Sequence, residues 1–218
     1  MTPGEPLIRW EWLLRNLPVI GQRLLEHVQL TLIAVSVGFA LSFILGIMVA
    51  RRGRWYGPVT WGAGVLYTIP SLALFAVLVP ITGLSTLTAE IGLVSYTLLI
   101  LIRGIVTGIR SVPPEVRDAA IGMGYGTWTL LWRVELPLAS AVIIAALRVA
   151  TVTTIGLTTV TALIGQGGLG SLILEGIMRF FSTPLLVGAV LSILLAVIAD
   201  AGLALLQRWC TPWMRAQG

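Results

Sequence analysis

Apolar residues in this chain come in long uninterrupted runs, not in the alternation of a half-buried strand or the narrow stripe of a surface helix. Five runs stand out, Val28 to Ala50, Pro58 to Thr82, Ile91 to Ile109, Leu138 to Ile164 and Leu185 to Leu206. A membrane helix needs about 20 largely apolar residues to cross roughly 30 Å of hydrocarbon, and each run meets that need. The pattern therefore predicts an all-α integral membrane protein with five transmembrane helices. The first run is too long and lies too far into the chain for a cleaved leader, so it is expected as a retained span. Ahead of it, Trp10, Trp12, Leu13, Leu14, Leu17 and Leu24 are interleaved with Arg9, Arg15, Arg23, Glu5, Glu11 and Glu26. That mixture predicts an amphipathic segment over residues 1–27 lying along the membrane interface. The remaining core, residues 28–208, leaves no room for a soluble domain or an internal repeat, and residues 1–218 read as one domain.

Composition sharpens this picture. The chain is 57% hydrophobic and 11% charged over 218 residues, more apolar than a soluble domain of this length can use. One cysteine, Cys210, excludes an internal disulfide, and one histidine, His27, leaves no cluster with metal-ligand spacing. All 14 basic residues are arginine. Without lysine, a phosphate-binding loop of the form GxxxxGK[ST] cannot be built, so nucleotide hydrolysis is expected on another subunit. Arginine also reports orientation, because loops on the cytoplasmic side collect it. Arg51, Arg52, Arg54, Arg110, Arg117, Arg133, Arg208 and Arg215 fall on one side, against Arg9, Arg15, Arg23 and Arg179 on the other. Eight against four predicts an external N-terminus, a cytoplasmic C-terminus, and a cytoplasmic segment over residues 111–137.

That segment runs from Ser111-Val-Pro-Pro-Glu-Val-Arg-Asp through to Arg133-Val-Glu-Leu-Pro137 and predicts two short helices joined by a tight turn. Pro114 suits a first helical position, and Glu115 beside it favours the positive end of the helix dipole. Gly124 and Gly126 bracket Tyr125 where a left-handed residue can end the helix, and Thr127 is placed to cap the next. Ala119 and Ala120 remove bulk, so another protein could approach the backbone closely.

Asp118-Ala119-Ala120, three residues, Gly124, nine residues, then Val134-Glu-Leu136-Pro137 resembles the cytoplasmic signature of bacterial ABC importer permeases, written EAA, three residues, G, nine residues, I-x-LP. Asp118 stands in place of Glu and Val134 in place of Ile. The resemblance implies the type I ABC importer permease fold, with a coupling helix between spans three and four that docks on an ATPase subunit. Glu115, Arg117, Asp118, Ala119, Ala120, Gly124, Tyr125, Leu136 and Pro137 would form that coupling element. It also implies the partners: two ABC ATPase subunits, a second permease chain, an external solute-binding protein and the bilayer of the bacterial inner membrane, with no nucleic acid. ATP and magnesium would sit on the ATPase, and this chain would bind no cofactor. Within the superfamily the chain looks most like permeases for glycine betaine, choline and carnitine. The residues that carry this are Glu26 to Leu32, Thr68 to Leu74, Arg133 to Pro137 and Ala162 to Gly170. Methionine-type permeases share the five-span plan and remain the alternative.

Several polar residues lie inside the apolar runs. Arg103 and Asp200 fall in the cytoplasmic third of their spans and Arg148 nearer the middle, at 1.5 Å per residue. Arg103 is expected to snorkel to the interface, and Asp200 to pair with Arg103 or Arg148 on a neighbouring helix in preference to lining a pore; a fixed arginine in the lumen would oppose a quaternary ammonium, so both arginines are expected away from it. Pro70 should break the second span, and with Thr68 and Ser71 it is a candidate for lining the pathway. Thr151, Thr153, Thr154, Thr158, Thr159 and Thr161 give the fourth span a hydroxyl face, of which Thr158 is the pathway candidate; bonding back to their own helix is equally open to them. Gly165, Gly167, Gly168 and Gly170 follow no strand and so do not form a nucleotide loop. They predict a close-packed turn or half-helix at the outer mouth, a candidate gate. A channel or secondary transporter could share five spans but has no use for a docking elbow. An intramembrane enzyme would need a catalytic set at one depth, which His27 and Asp200 do not supply.

Overall fold

The computed structural model describes residues 7–212. The N-terminal Glu5 and the C-terminal Arg215, both used in the charge pattern, lie outside them. The described residues form helices and turns. A short α1 (Trp10–Arg15) precedes α2 (Leu17–Arg51), and α3 (Tyr56–Thr68) and α4 (Ser71–Thr82) follow. Next come α5 (Thr86–Arg110), α6 (Pro114–Gly122) and α7 (Thr127–Leu130), then α8 (Leu136–Val160), α9 (Leu169–Met178) and α10 (Ser182–Cys210). Four helices are long and apolar enough to cross a membrane, and the α3–α4 pair supplies a fifth crossing if counted as one span.

That pair is bent by 94°. Ile69 is extended and Pro70 caps α4, because a residue before proline is pushed out of the helical region. The sequence places this break correctly. The Tyr96 hydroxyl of α5 donates a hydrogen bond to the Ile69 carbonyl and holds the corner.

The N-terminal segment differs from expectation. Only α1 is separate; from Leu17 the chain is already the first spanning helix, with Pro18 in its first turn. Residues 17–27 therefore belong to the bundle and not to a surface helix. His27 is fully buried there, and its Nε2–H donates to the Ile155 carbonyl of α8 at 3.1 Å.

α5 is the centre of the bundle, packed on both α2 and α8, and α8 packs in turn on α10. Small residues set these crossings. Gly38, Ser42 and Gly46 recur every four residues on the buried face of α2. A Cβ on Gly46 would stand 2.7 Å from Ile105, and one on Gly38 would strike Thr97. On α5, Gly104 and Gly108 meet α8 at Ala146 and Ala139 in the same way. Without water to drive helices together in lipid, close van der Waals approach of this kind is a main source of their association.

Candidate functional site: the elbow between the third and fourth spans

α6 begins with Pro114 and carries Glu115 in its first turn. It ends as a Schellman turn: the Tyr125 N–H donates to the Ala120 carbonyl at 3.1 Å and the Gly124 N–H to Ile121 at 2.9 Å. Gly124 takes φ of +85°, a conformation that glycine adopts without strain, so the turn requires it. Thr127 does not cap the next helix. Gly126 occupies the cap position with no side-chain bond, and the Thr127 carbonyl instead accepts from Arg51 at 3.1 Å.

Pro137 also behaves differently from a helix stop. From Thr127 to Ile164 the chain is one continuous helical run of 38 residues. Leu131–Glu135 widens into a π-turn just before the proline. A wider turn gives the pyrrolidine ring room against the preceding carbonyls, so the helix passes through it unbroken. The second short helix is thus the first turns of the fourth span.

A residue not predicted as functional anchors this arrangement. Glu135, at the unspecified position of the signature, is 1% exposed. Arg51 at the end of α2 meets its Oε2 at 2.6 Å, and Arg117 of α6 lies 2.9 Å from its Oε1. Arg117 also donates to the Ile109 carbonyl at the end of α5 at 2.9 Å. One carboxylate and two arginines therefore tie α2, α5, α6 and α8 together. The available signal was an acidic residue inside an otherwise apolar Val-Glu-Leu-Pro, which in a membrane protein calls for a partner.

Ala120 is buried against this base, while Glu115, Asp118 and Ala119 are exposed and Arg117, Tyr125 and Leu136 are half-buried. Pro137 is exposed. Beside them Val116, Ile121, Met123 (69% exposed) and Trp128 (68% exposed) point outward. Large apolar side chains rimmed by charge are a feature that protein contact surfaces share.

At the opposite end of the bundle the glycine segment is closed upon its own chain. Gly167, Gly168 and Gly170 are buried, and Gly165 is exposed with φ of +78°. A Cβ on Gly168 would lie 2.6 Å from His27 and 2.7 Å from the Arg23 carbonyl, and one on Gly170 would strike Thr159. Thr158 is likewise fully buried, donating to the Thr154 carbonyl at 2.8 Å beside Thr31. Thr151, Thr154, Thr159 and Thr161 also donate to carbonyls of their own helix, so the predicted hydroxyl face is largely turned inward upon itself. Thr68 is exposed but bonded to Val65, Pro70 is exposed, and Ser71 is half-buried. Arg103 is exposed and apart from Asp200; Asp200 pairs with Arg148 at 2.8 Å.

The family model of binding-protein-dependent transport system inner membrane components matches residues 42–211, a stretch that contains the whole elbow. The chain belongs to that family. It is a multi-pass permease component of an ABC importer. Among curated relatives, the osmoprotectant import permease protein OsmW of Salmonella typhimurium is 35% identical over 92% of this permease and 96% of its own length. The glycine betaine/carnitine/choline transport system permease protein OpuCD of Bacillus subtilis is 37% identical over 90% and 86%. OpuCB of the same organism and the same described function is 34% identical over 86% of both chains. Among solved structures, an inward-facing MetNI methionine ABC transporter superposes with a TM-score of 0.79 at 18% identity, covering 90% of the permease and 98% of that chain. An amino-acid ABC transporter gives 0.70 at 18% identity over 92% and 98%. At these identities the structures establish the type I importer permease fold and do not bear on the solute.

Proposed function

We propose that this permease imports quaternary-ammonium osmoprotectants, such as glycine betaine, carnitine or choline, by alternating access. The observation that carries the solute is the run of relatives at 34–37% identity, each spanning most of both chains, two named for glycine betaine, carnitine and choline and one for osmoprotectants. Two copies, or one copy and a similar second permease, would enclose the pathway. Two ATPase subunits holding ATP and magnesium would bind the elbow, and an external binding protein would deliver the solute. The arginine-rich end, with the elbow and the end of α10, would face the cytoplasm.

The elbow's construction supports a mechanical role. Its outward apolar side chains offer a partner a docking face, while Glu135, Arg51 and Arg117 join its base to three spans. A partner that closes would pull α6, and the continuous helix through Leu136 and Pro137 would carry that displacement into α8. Glu115, Asp118 and Ala119 would meet the partner directly; Arg117, Ala120, Gly124 and Tyr125 would hold the shape that presents them. The α3–α4 corner at Pro70, with Thr68 and Ser71, and the turn from Gly165 to Gly170 would be where the spans bend and part.

Reconstitution of the permease with its ATPase and binding protein in liposomes tests the solute. ATP-dependent uptake of glycine betaine, with methionine left outside, is the expected result. Uptake of methionine in preference to every quaternary ammonium compound would replace this reading with the amino-acid one.

A further inference from the structure

Arg148 and Asp200 form a two-pronged pair between α8 and α10. Arg148 Nε and Nη2 donate to the two carboxylate oxygens of Asp200, both at 2.8 Å. Behind them Arg148 Nη1 donates to Gln207 at 3.2 Å, and Gln207 donates to the Ala141 carbonyl at 2.9 Å. Arg148 lies 12 residues beyond Leu136, the start of α8, which is about 18 Å along the axis. Asp200 lies 10 residues before Cys210, the end of α10, about 15 Å. Arg148 lies near the middle of its apolar run and Asp200 in the cytoplasmic third of its own, both on helices long and apolar enough to cross a membrane.

Despite that depth the pair is open on one side. The Arg148 side chain is 31% exposed and that of Asp200 39%. They floor a groove of about 500 Å³ whose other walls are Ala145, Val149, Val152 and Thr153. Acyl chains offer no hydrogen bonds, so charged groups at this depth face a protein interior or a watery cavity. The interior of this bundle does not contain the pair, so the groove faces either a second permease chain or the solute pathway that the two would enclose.

We propose that this groove is a solute subsite for zwitterions that carry both a carboxylate and a quaternary ammonium, an inference that rests on the osmoprotectant reading above. The solute carboxylate takes the guanidinium fork in place of Asp200, because the two carboxylates present the same planar pair of acceptors. The displaced Asp200 carboxylate then meets the ammonium, so each charge keeps a partner and the net charge of the groove is unchanged. Gln207, anchored to α8, holds the guanidinium in place while Asp200 moves. Competition from Asp200 keeps occupancy weak, which suits a site that must release its solute. A simple cation such as choline has no carboxylate to offer the fork and leaves the pair closed.

Two measurements on the reconstituted permease, ATPase and binding-protein complex test this. In the first, Arg148→Gln should lower ATP-dependent uptake of glycine betaine about tenfold relative to wild type, the worth of one bidentate contact, while choline uptake changes far less. Parallel loss of both solutes, or restoration of both by the charge exchange Arg148→Asp with Asp200→Arg, would make the pair a structural tie and overturn the subsite. In the second, which leaves the pair intact, Thr153→Cys in a Cys210→Ser background is treated with the water-soluble thiol reagent methanethiosulfonate ethyltrimethylammonium. Labelling is expected, with protection by glycine betaine and none by choline at equal concentration. Absence of labelling in every nucleotide state would mean that lipid or a second copy covers the groove, and the subsite would be wrong even if wild-type uptake of glycine betaine is robust. If the wild-type complex imports no quaternary ammonium compound, the osmoprotectant reading itself fails.

Discussion

The two ends of this bundle are built by opposite means. At the elbow, α6 is held by charge: a buried glutamate gathers two arginines from distant helices, and large apolar side chains are left facing outward. At the glycine segment the backbone itself is the packing surface. Gly168 and Gly170 press on α2 and on the end of α8, with nothing apolar and large turned out except Leu163. A joint held by a few directional contacts can shift as a unit and still present a surface. A joint held by backbone contact has little room for any change in volume. The first arrangement suits a place where another protein pushes; the second suits a seal or pivot that must close the same way each time.

Substitutions that differ between the ends can break this contrast, and their effects on stability should descend in order. Gly168→Leu combines φ of +48° with a steric conflict against His27 and Arg23, so a loss of about 4 kcal/mol is expected from strain and overpacking together. Thermal unfolding in detergent should register it as failure to recover folded protein, and near-normal stability would show that the segment is loose. Glu135→Ala leaves Arg51 and Arg117 facing each other without a counter-charge. Because both arginines are partly exposed, about 2 kcal/mol is expected, less than for a fully buried pair. Uptake should fall further than stability does, since α6 loses its tie to α8. Gly165→Ala tests the same loop without a clash, because the space there is open and only φ of +78° opposes a side chain. It should cost about 1 kcal/mol by that strain alone. Met123→Asp should change the melting curve by no more than about 0.5 kcal/mol, as an exposed position does, while abolishing uptake coupled to ATP. Equal loss of stability in Met123→Asp and Gly168→Leu would erase the distinction between the ends.

Much of this architecture was legible from residues. Runs of apolar sequence located every span, Pro70 located the break, and the charges inside apolar runs anticipated that Asp200 pairs with Arg103 or Arg148, of which the structure selects Arg148. The Gly124-Tyr125-Gly126 bracket marked where α6 ends through a left-handed residue, and Gly124 is the residue that takes that conformation. The rest depended on contacts across long separations. Glu135 meets Arg51 across 84 residues, and nothing local distinguishes that arginine from Arg52 or Arg54. Pro137 carries a strong stop signal that tertiary packing overrides through a π-turn. The threonines of α8 could equally face a lumen or their own carbonyls, and only the burial of Thr154 and Thr158 and their bonds to their own helix distinguish the two. Likewise the charges of residues 9–26 suggested a surface helix, whereas a continuous α2 carries His27 into the core.

The central claim is that α6 is the point at which an ATPase moves this permease. Ala119→Cys, in a Cys210→Ser background, places a single thiol on the exposed face of α6 in the assembled complex. A short cross-linker with one thiol-reactive and one photoreactive end, in membranes active for uptake, should join this position to the ATPase subunit, and trapping the link should stop transport. An uptake-competent complex in which that thiol reaches no ATPase, or in which it is labelled from the outer side of the membrane, would contradict the account.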